Sequence, residues 1–192
     1  VRHIEKGWTV NTILDLVARA DPPYHALIDT GALVTGMSNL EVAKYLLNNG
    51  LPDMDSVVFL DEDDRKRMLI RNGMRVVPMA QSSVAPERRF TFFDQIHTTG
   101  MDIYQALTAT AAVTLGKDMT FRDYAQGTFR MRQIGQGQTL AVIMIPEVKE
   151  LIRTQVALGA AQDAGDRERG IQSMSTKQQA AQALKDIAAW LT

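Results

Sequence analysis

Arg122, Gln126 and Arg130 recur at intervals of four residues in the segment that runs on to Gln138. On a continuous helix that spacing places all three on one face. Such a face is either a solvated surface or a row of polar groups offered to a ligand, and spacing alone leaves both open. Gly135 and Gly137 follow; glycines here let the backbone approach a ligand closely, or simply turn the chain into the next strand. Arg132 lies two residues beyond Arg130. Each residue rotates a helix by about 100°, so the two guanidiniums share a face only if the helix ends between them. A second polar stretch, Thr98-Thr99-Gly100-Met101-Asp102, comes soon after the apolar run Phe90-Thr91-Phe92-Phe93. It is either a loop bordering a ligand or one in which Thr99 or Asp102 caps the next helix.

Other chemistry is excluded by what the chain lacks. There is no cysteine, hence no disulfide, thiolate ligand or thiol nucleophile. His3, His25 and His97 lie far apart without ligand spacing, so no metal site is expected. Val57-Val58-Phe59-Leu60-Asp61-Glu62 has the look of a magnesium-binding acidic strand, but no G-x-x-x-x-G-K-[ST] loop precedes it. Asp61 to Asp64 read instead as the acidic start of a helix, complementing its dipole. Gly116-Lys117 lacks both the earlier glycine and a following Ser or Thr, and reads as a turn. No G-x-S-x-G elbow is present. The net charge of −1 gives no basic field for nucleic acid. No apolar run reaches the roughly 18–20 residues that cross a bilayer, nor does the start resemble a signal peptide. The expectation is a cytoplasmic or nuclear protein, not a secreted one, with no membrane partner.

The elements that must position these residues alternate. Thr9 to Ala20 has helical apolar spacing and stops at Asp21-Pro22-Pro23. Ala26 to Thr30 reads as a strand, and Ser38-Asn39-Leu40-Glu41 as a capping box opening a helix that closes at Asn48-Asn49-Gly50. Val57–Leu60 reads as a strand, Asp61–Arg71 as a charged helix, and Arg75–Pro78 as a short strand. Phe90–Phe93 reads as another strand, followed by a short helix near Asp102–Leu107. After a strand at Ala111–Leu115, Thr120–Asp123 opens a helix toward Met131, and Leu140–Ile145 is a strand ended by Pro146. Apolar strands alternating with helices predict an α/β fold, a mainly parallel sheet with helices on both faces. Glu147–Ala161 and Ser175–Leu191 add C-terminal helices around a polar loop at Asp163–Gly170. The organisation expected is a helical lead-in (1–23), the α/β domain (24–146) and a helical extension (147–192). The start at Val1 and the end within a helical pattern read as cuts in a longer polypeptide.

Gln126, Arg130, Ile134, Gly135 and Gln136 resemble the sixth motif of superfamily-two helicases and Swi/Snf-type remodellers, Q-x-x-x-R-x-x-x-I-G-Q. The stretch Phe92 to Ile103, with Gly100-x-Asp102, resembles their fifth motif, and Thr30-Gly31 would end the strand of the fourth. The resemblance implies a three-layer RecA-like second lobe of a two-lobed motor, inactive alone, which completes an ATP and magnesium site held mainly by a missing N-terminal lobe. It implies catalytic roles for Arg130, Arg132 and Gln126, with Arg130 reaching the γ-phosphate as arginine fingers do. Thr99, Gly100, Asp102 and Gly135 would border the nucleotide. The translocated polymer would be nucleic acid or polypeptide. Two departures stand out: the remodeller pattern has a second arginine where this chain has Gln133, and many motors carry arginine where it has Thr99.

HALIDTGAL, VVFLDEDDRK, RRFTFFDQIHTTGMDI and TLGKDMTFRDYAQGTFRMRQIGQGQT also resemble a family of very large eukaryotic proteins of unknown function, many called ubiquitinyl hydrolases. That likeness implies an alternative, a structural region of a thiol protease in the ubiquitin pathway. The nucleophile would then lie outside this cysteine-free segment.

Overall fold

Four helix starts share one local device. In the computed structural model, which describes residues 1–98, 101–159 and 164–192, α1 (Val10–Ala18) and α2 (Asn39–Asn49) are opened by reciprocal caps, Thr9 with Thr12 and Ser38 with Glu41. Thr120 with Asp123 opens α3 (Phe121–Thr128), and Ser175 with Gln178 opens α6 (Thr176–Leu191). In each, the side chains satisfy amide donors that the first turn would leave unpaired. Helices α4 (Pro146–Gly159) and α5 (Ala164–Gln172) complete the set.

Eight strands form one sheet. They are β1 (Arg2–His3), β2 (Ala26–Ile28), β3 (Ser56–Leu60), β4 (Lys66–Ile70), β5 (Arg75–Pro78), β6 (Arg89–Phe93), β7 (Thr110–Thr114) and β8 (Thr139–Met144). Their order is β1-β8-β7-β2-β6-β3-β4-β5. The first six in that order run parallel, while β4 and β5 add an antiparallel edge. The fold is thus α/β with a mainly parallel sheet, as the alternation predicts.

Two apolar layers flank the sheet. Ile13, Leu14, Val17, Leu46 and Leu47 of α1 and α2 share one with Val148 and Ile152 of α4 and Ile187 and Leu191 of α6. Ile28, Val58, Met68, Phe93 and Val113 build the other, with Ile103, Ala106 and Met131 packed on them. The expected short helix at 102–107 is not formed; an irregular run covers that face beside α3. Ile4 of the lead-in and the C-terminal helices belong to the first layer, so all three expected segments share a core.

Two further expectations are corrected. Asp61–Arg71 is not helical but a tight turn leading into β4. The Asp61 carboxylate accepts from the amides of Asp63 and Arg65, and Asp64 adopts a left-handed φ of 59°. That local turn outcompetes the dipole-assisted helix start. Lys66 to Ile70 then pair with β3, and Met68 and Leu69 are buried on opposite faces of the sheet. Within the predicted loop Asp163–Gly170, residues from Ala164 onward are helical as α5, tied to its neighbours by Arg167–Asp186 (2.5 Å) and Arg153–Glu168 (3.5 Å). Among the described residues no helix is long and apolar enough to cross a membrane.

Candidate functional site

Helix α3 stops at Thr128, where the hydroxyl donates back to the carbonyls of Tyr124 and Ala125. Arg130 and Arg132 therefore both lie beyond the helix, and the one-face argument for Arg122, Gln126 and Arg130 does not carry to Arg130. Two further turns follow, Arg130 N–H to Gly127 O (3.1 Å) and Met131 N–H to Thr128 O (2.9 Å), and buried Met131 anchors them. Arg130 turns inward and is only 8% exposed. Its Nη1 donates to the carbonyl of Met101, while its Nε has no hydrogen-bond partner. Burial, then the nearby charge of Arg132, lower its pKa, and Asp102 opposes them.

Arg132 points the other way, with 42% of its side chain exposed. Its guanidinium lies 4.3 Å from the centre of the Phe129 ring, and its Nε is 3.2 Å from Asp102 Oδ1. Asp102 is also held by Lys66 of β4, whose ammonium donates to its carbonyl. Asp102, Arg130 and Arg132 thus meet in one depression of about 220 Å³, with Tyr104 and Gln138 on its walls. Gly135, at φ 80°, belongs to the tight turn between Gln133 and Gln138, which Gln138 closes by accepting from Gln133 N–H through its side chain (2.9 Å). Its positive φ is what this turn requires, and a Cβ added there would meet nothing within 4 Å. Thr99 and Gly100 lie outside the described residues.

Gln126 lines a different hollow, at the carboxyl ends of the parallel strands. There the chain leaves β2 through α2 on one face and β7 through α3 on the other, a switch point of the kind where α/β sheets bind ligands. The cleft measures about 420 Å³ and draws on the loops after β2, β6 and β7 and on α3. Asp29 organises it. Only 1% exposed, its carboxylate accepts from the amides of Leu33 (3.0 Å) and Val34 (2.9 Å) and from the Thr114 hydroxyl (2.6 Å). Burial raises its pKa, against those hydrogen bonds. Thr114 Oγ1 in turn accepts from Gly31 N–H, and the Thr30 hydroxyl donates to Thr114 O. The two loops touch so closely that a Cβ on Gly31 would lie 2.6 Å from Gly116 N. A third polar group joins the ends of β3 and β6: His97 Nδ1 is 2.5 Å from Asp94, and its Nε2 is 2.7 Å from Asp64.

Of the residues singled out in the sequence, Asp102, Arg130 and Arg132 come together in one depression, whereas Gln126 lies in the other hollow. Asp29, Thr114 and His97 were missed there. The available signal was Asp29-Thr30-Gly31, a buried-type strand ending in a carboxylate, a hydroxyl and a glycine. Across known proteins, no family model, no curated protein and no solved structure matches this chain.

Proposed function

We propose that this chain is the second RecA-like lobe of a two-lobed, ATP-driven motor, contributing arginine side chains to a nucleotide site whose phosphate loop and magnesium-binding acid belong to another lobe. One observation carries the reading. The two segments that resemble consecutive helicase motifs, around Asp102 and around Arg130, are joined by the Arg132–Asp102 pair and the Arg130–Met101 hydrogen bond. The α/β fold with its parallel sheet is compatible with that role.

Within this reading the two arginines divide the work. Arg132 is the group that reaches a phosphate: it is exposed, oriented by the Phe129 ring, and its present partner is a solvent-exposed carboxylate whose pairing costs little to exchange. A guanidinium there neutralises charge that develops on the γ-phosphate, with two parallel donors that lysine cannot reproduce. Arg130 is a positioning residue that ties the Met101–Asp102 backbone to the end of α3. The polymer moved by the motor is nucleic acid or polypeptide; the near-neutral charge favours neither a basic grip nor a membrane.

The test is ATP turnover by the complete polypeptide that carries this chain. Arg132→Ala lowers kcat by about 10³-fold or more, Arg132→Lys rescues poorly, and the isolated chain hydrolyses no ATP. Turnover unchanged by Arg132→Ala overturns the assignment. The same ion pair favours a second reading, a lobe kept as scaffold with its arginine already neutralised by Asp102. A complete polypeptide that neither binds nor hydrolyses ATP selects that alternative.

A further inference from the structure

The cleft at the carboxyl ends of β2, β6 and β7 is built with more precision than a surface hollow needs. Asp29 and Thr114 lock the loop after β2 to the end of β7 through buried hydrogen bonds. Gly31 and Gly116 press their backbones together. Helix α3 is seated on the same loop at Gly127, where a Cβ would come within 2.0 Å of the Thr30 methyl carbon, and this seating brings Asp123 and Gln126 over the opening. Ala32 at the lip holds φ 52°, a conformation that alanine rarely adopts.

Charge and donor supply decide what fits. A phosphate-type anion needs free amides or an open helix start. Here several of the amides around the opening are committed: Gly31 N–H to Thr114, Leu33 and Val34 N–H to Asp29, Gly116 N–H to the Met119 sulfur, and Thr120 N–H to Asp123 (2.9 Å). Asp123 itself occupies the start of α3, and among the described residues the lining sets two carboxylates, Asp118 and Asp123, against the single cation Lys117. Among the described residues no cluster of three metal-ligating side chains forms. Hydroxyl groups fit instead. Carboxylates accept from vicinal hydroxyls, the Gln126 amide both donates and accepts, and Lys117 donates.

We propose that this cleft binds a small, uncharged polyhydroxylated molecule, a nucleoside or a monosaccharide, separately from the arginine depression. The ligand would span Asp118, Asp123 and Gln126, its hydroxyls accepted by the carboxylates.

The experiment is titration of the 192-residue chain with adenosine, glucose and inorganic phosphate in parallel, followed by amide NMR and calorimetry. Saturable binding of adenosine or of glucose is expected, with amide shifts at Gly31, Gly116 and Gln126; which one binds identifies the source of the hydroxyls. Asp118→Asn and Gln126→Ala, both at exposed side chains, each weaken it by roughly tenfold while the unfolding midpoint is unchanged. Binding of phosphate in place of either polyol, no saturation by either polyol, or affinity unaltered in both variants overturns the proposal. None of these readouts depends on ATP hydrolysis, so this proposal and the motor reading fail independently.

Discussion

At the scale of single residues, the seat of α3 on the loop after β2 rests on Gly127. Alanine is ordinarily the better helix former by about 1 kcal/mol. At this position its methyl would meet the Thr30 Cγ2 carbon at 2.0 Å, on a residue whose hydroxyl is already held by Thr114 O at 2.6 Å. Overpacking of that kind costs about 1–3 kcal/mol. We therefore expect Gly127→Ala to destabilise the chain by roughly 1–2 kcal/mol in urea unfolding, against its helix propensity. Thr30→Ser removes the obstructing methyl and keeps the hydroxyl, so the double variant should recover most of the loss. Simple additivity of the two changes would show that the contact is not what limits the site. The pair Arg130 and Arg132 teaches a related lesson. Of two like side chains, two residues apart, one is buried and the other exposed. That difference follows from the helix ending before either.

At the scale of elements, His97 fastens the β3–β4 turn to the end of β6. An imidazole with a carboxylate oxygen at each nitrogen, Asp94 at 2.5 Å and Asp64 at 2.7 Å, donates to both only as the cation. Burial works against that charge, but the hydrogen bonds to Asp64 and Asp94 outweigh it and raise the pKa above its ordinary 6.5. The sign follows from linkage. A group whose folded pKa is raised contributes stability that is complete below the unfolded pKa and is lost as pH climbs through the folded one. Stability should accordingly decline as pH rises from about 6.5, and His97→Gln should flatten that decline. Urea midpoints measured at successive pH values check it; parallel curves for the two proteins would remove His97 from the clasp. Asp64 is the more exposed partner, so the turn after β3 is what deprotonation releases.

At the scale of the whole molecule, the first apolar layer joins Ile4, close to one end of the chain, to Ile187 and Leu191 near the other. The C-terminal helix is part of the core rather than an appendage. Ile187→Ala should then cost about 2–4 kcal/mol and lower the cooperative unfolding transition as a unit. A loss under about 0.5 kcal/mol, the range of ordinary surface changes, would mean that α6 packs weakly. The opposite face carries a thinner cover, residues 101–109 with α3, and leaves Tyr104, Leu107 and Phe129 exposed beside the arginine depression.

What could be read along the chain was local. Capping residues at Ser38 and Thr120 mark helix starts because the partner that satisfies the amides sits three residues away. The apolar runs at 26–30 and 140–145 mark buried strands, and their alternation with helices implies a parallel sheet. The errors came where a local pattern served two structures. Asp61–Arg71 holds charges suited to a helix, but the Asp61 turn and pairing with β3 make it a hairpin. Polar residues from Ala164 onward form α5 because α4 and α6 supply ion-pair partners. The direction of Arg130 and the whole of the carboxyl-end cleft depend on contacts between distant segments, as with Thr114 and Asp29, 85 positions apart. Chain order carries no record of such a meeting, because the hydrogen bond that makes Asp29 a scaffold exists only once β2 and β7 lie side by side.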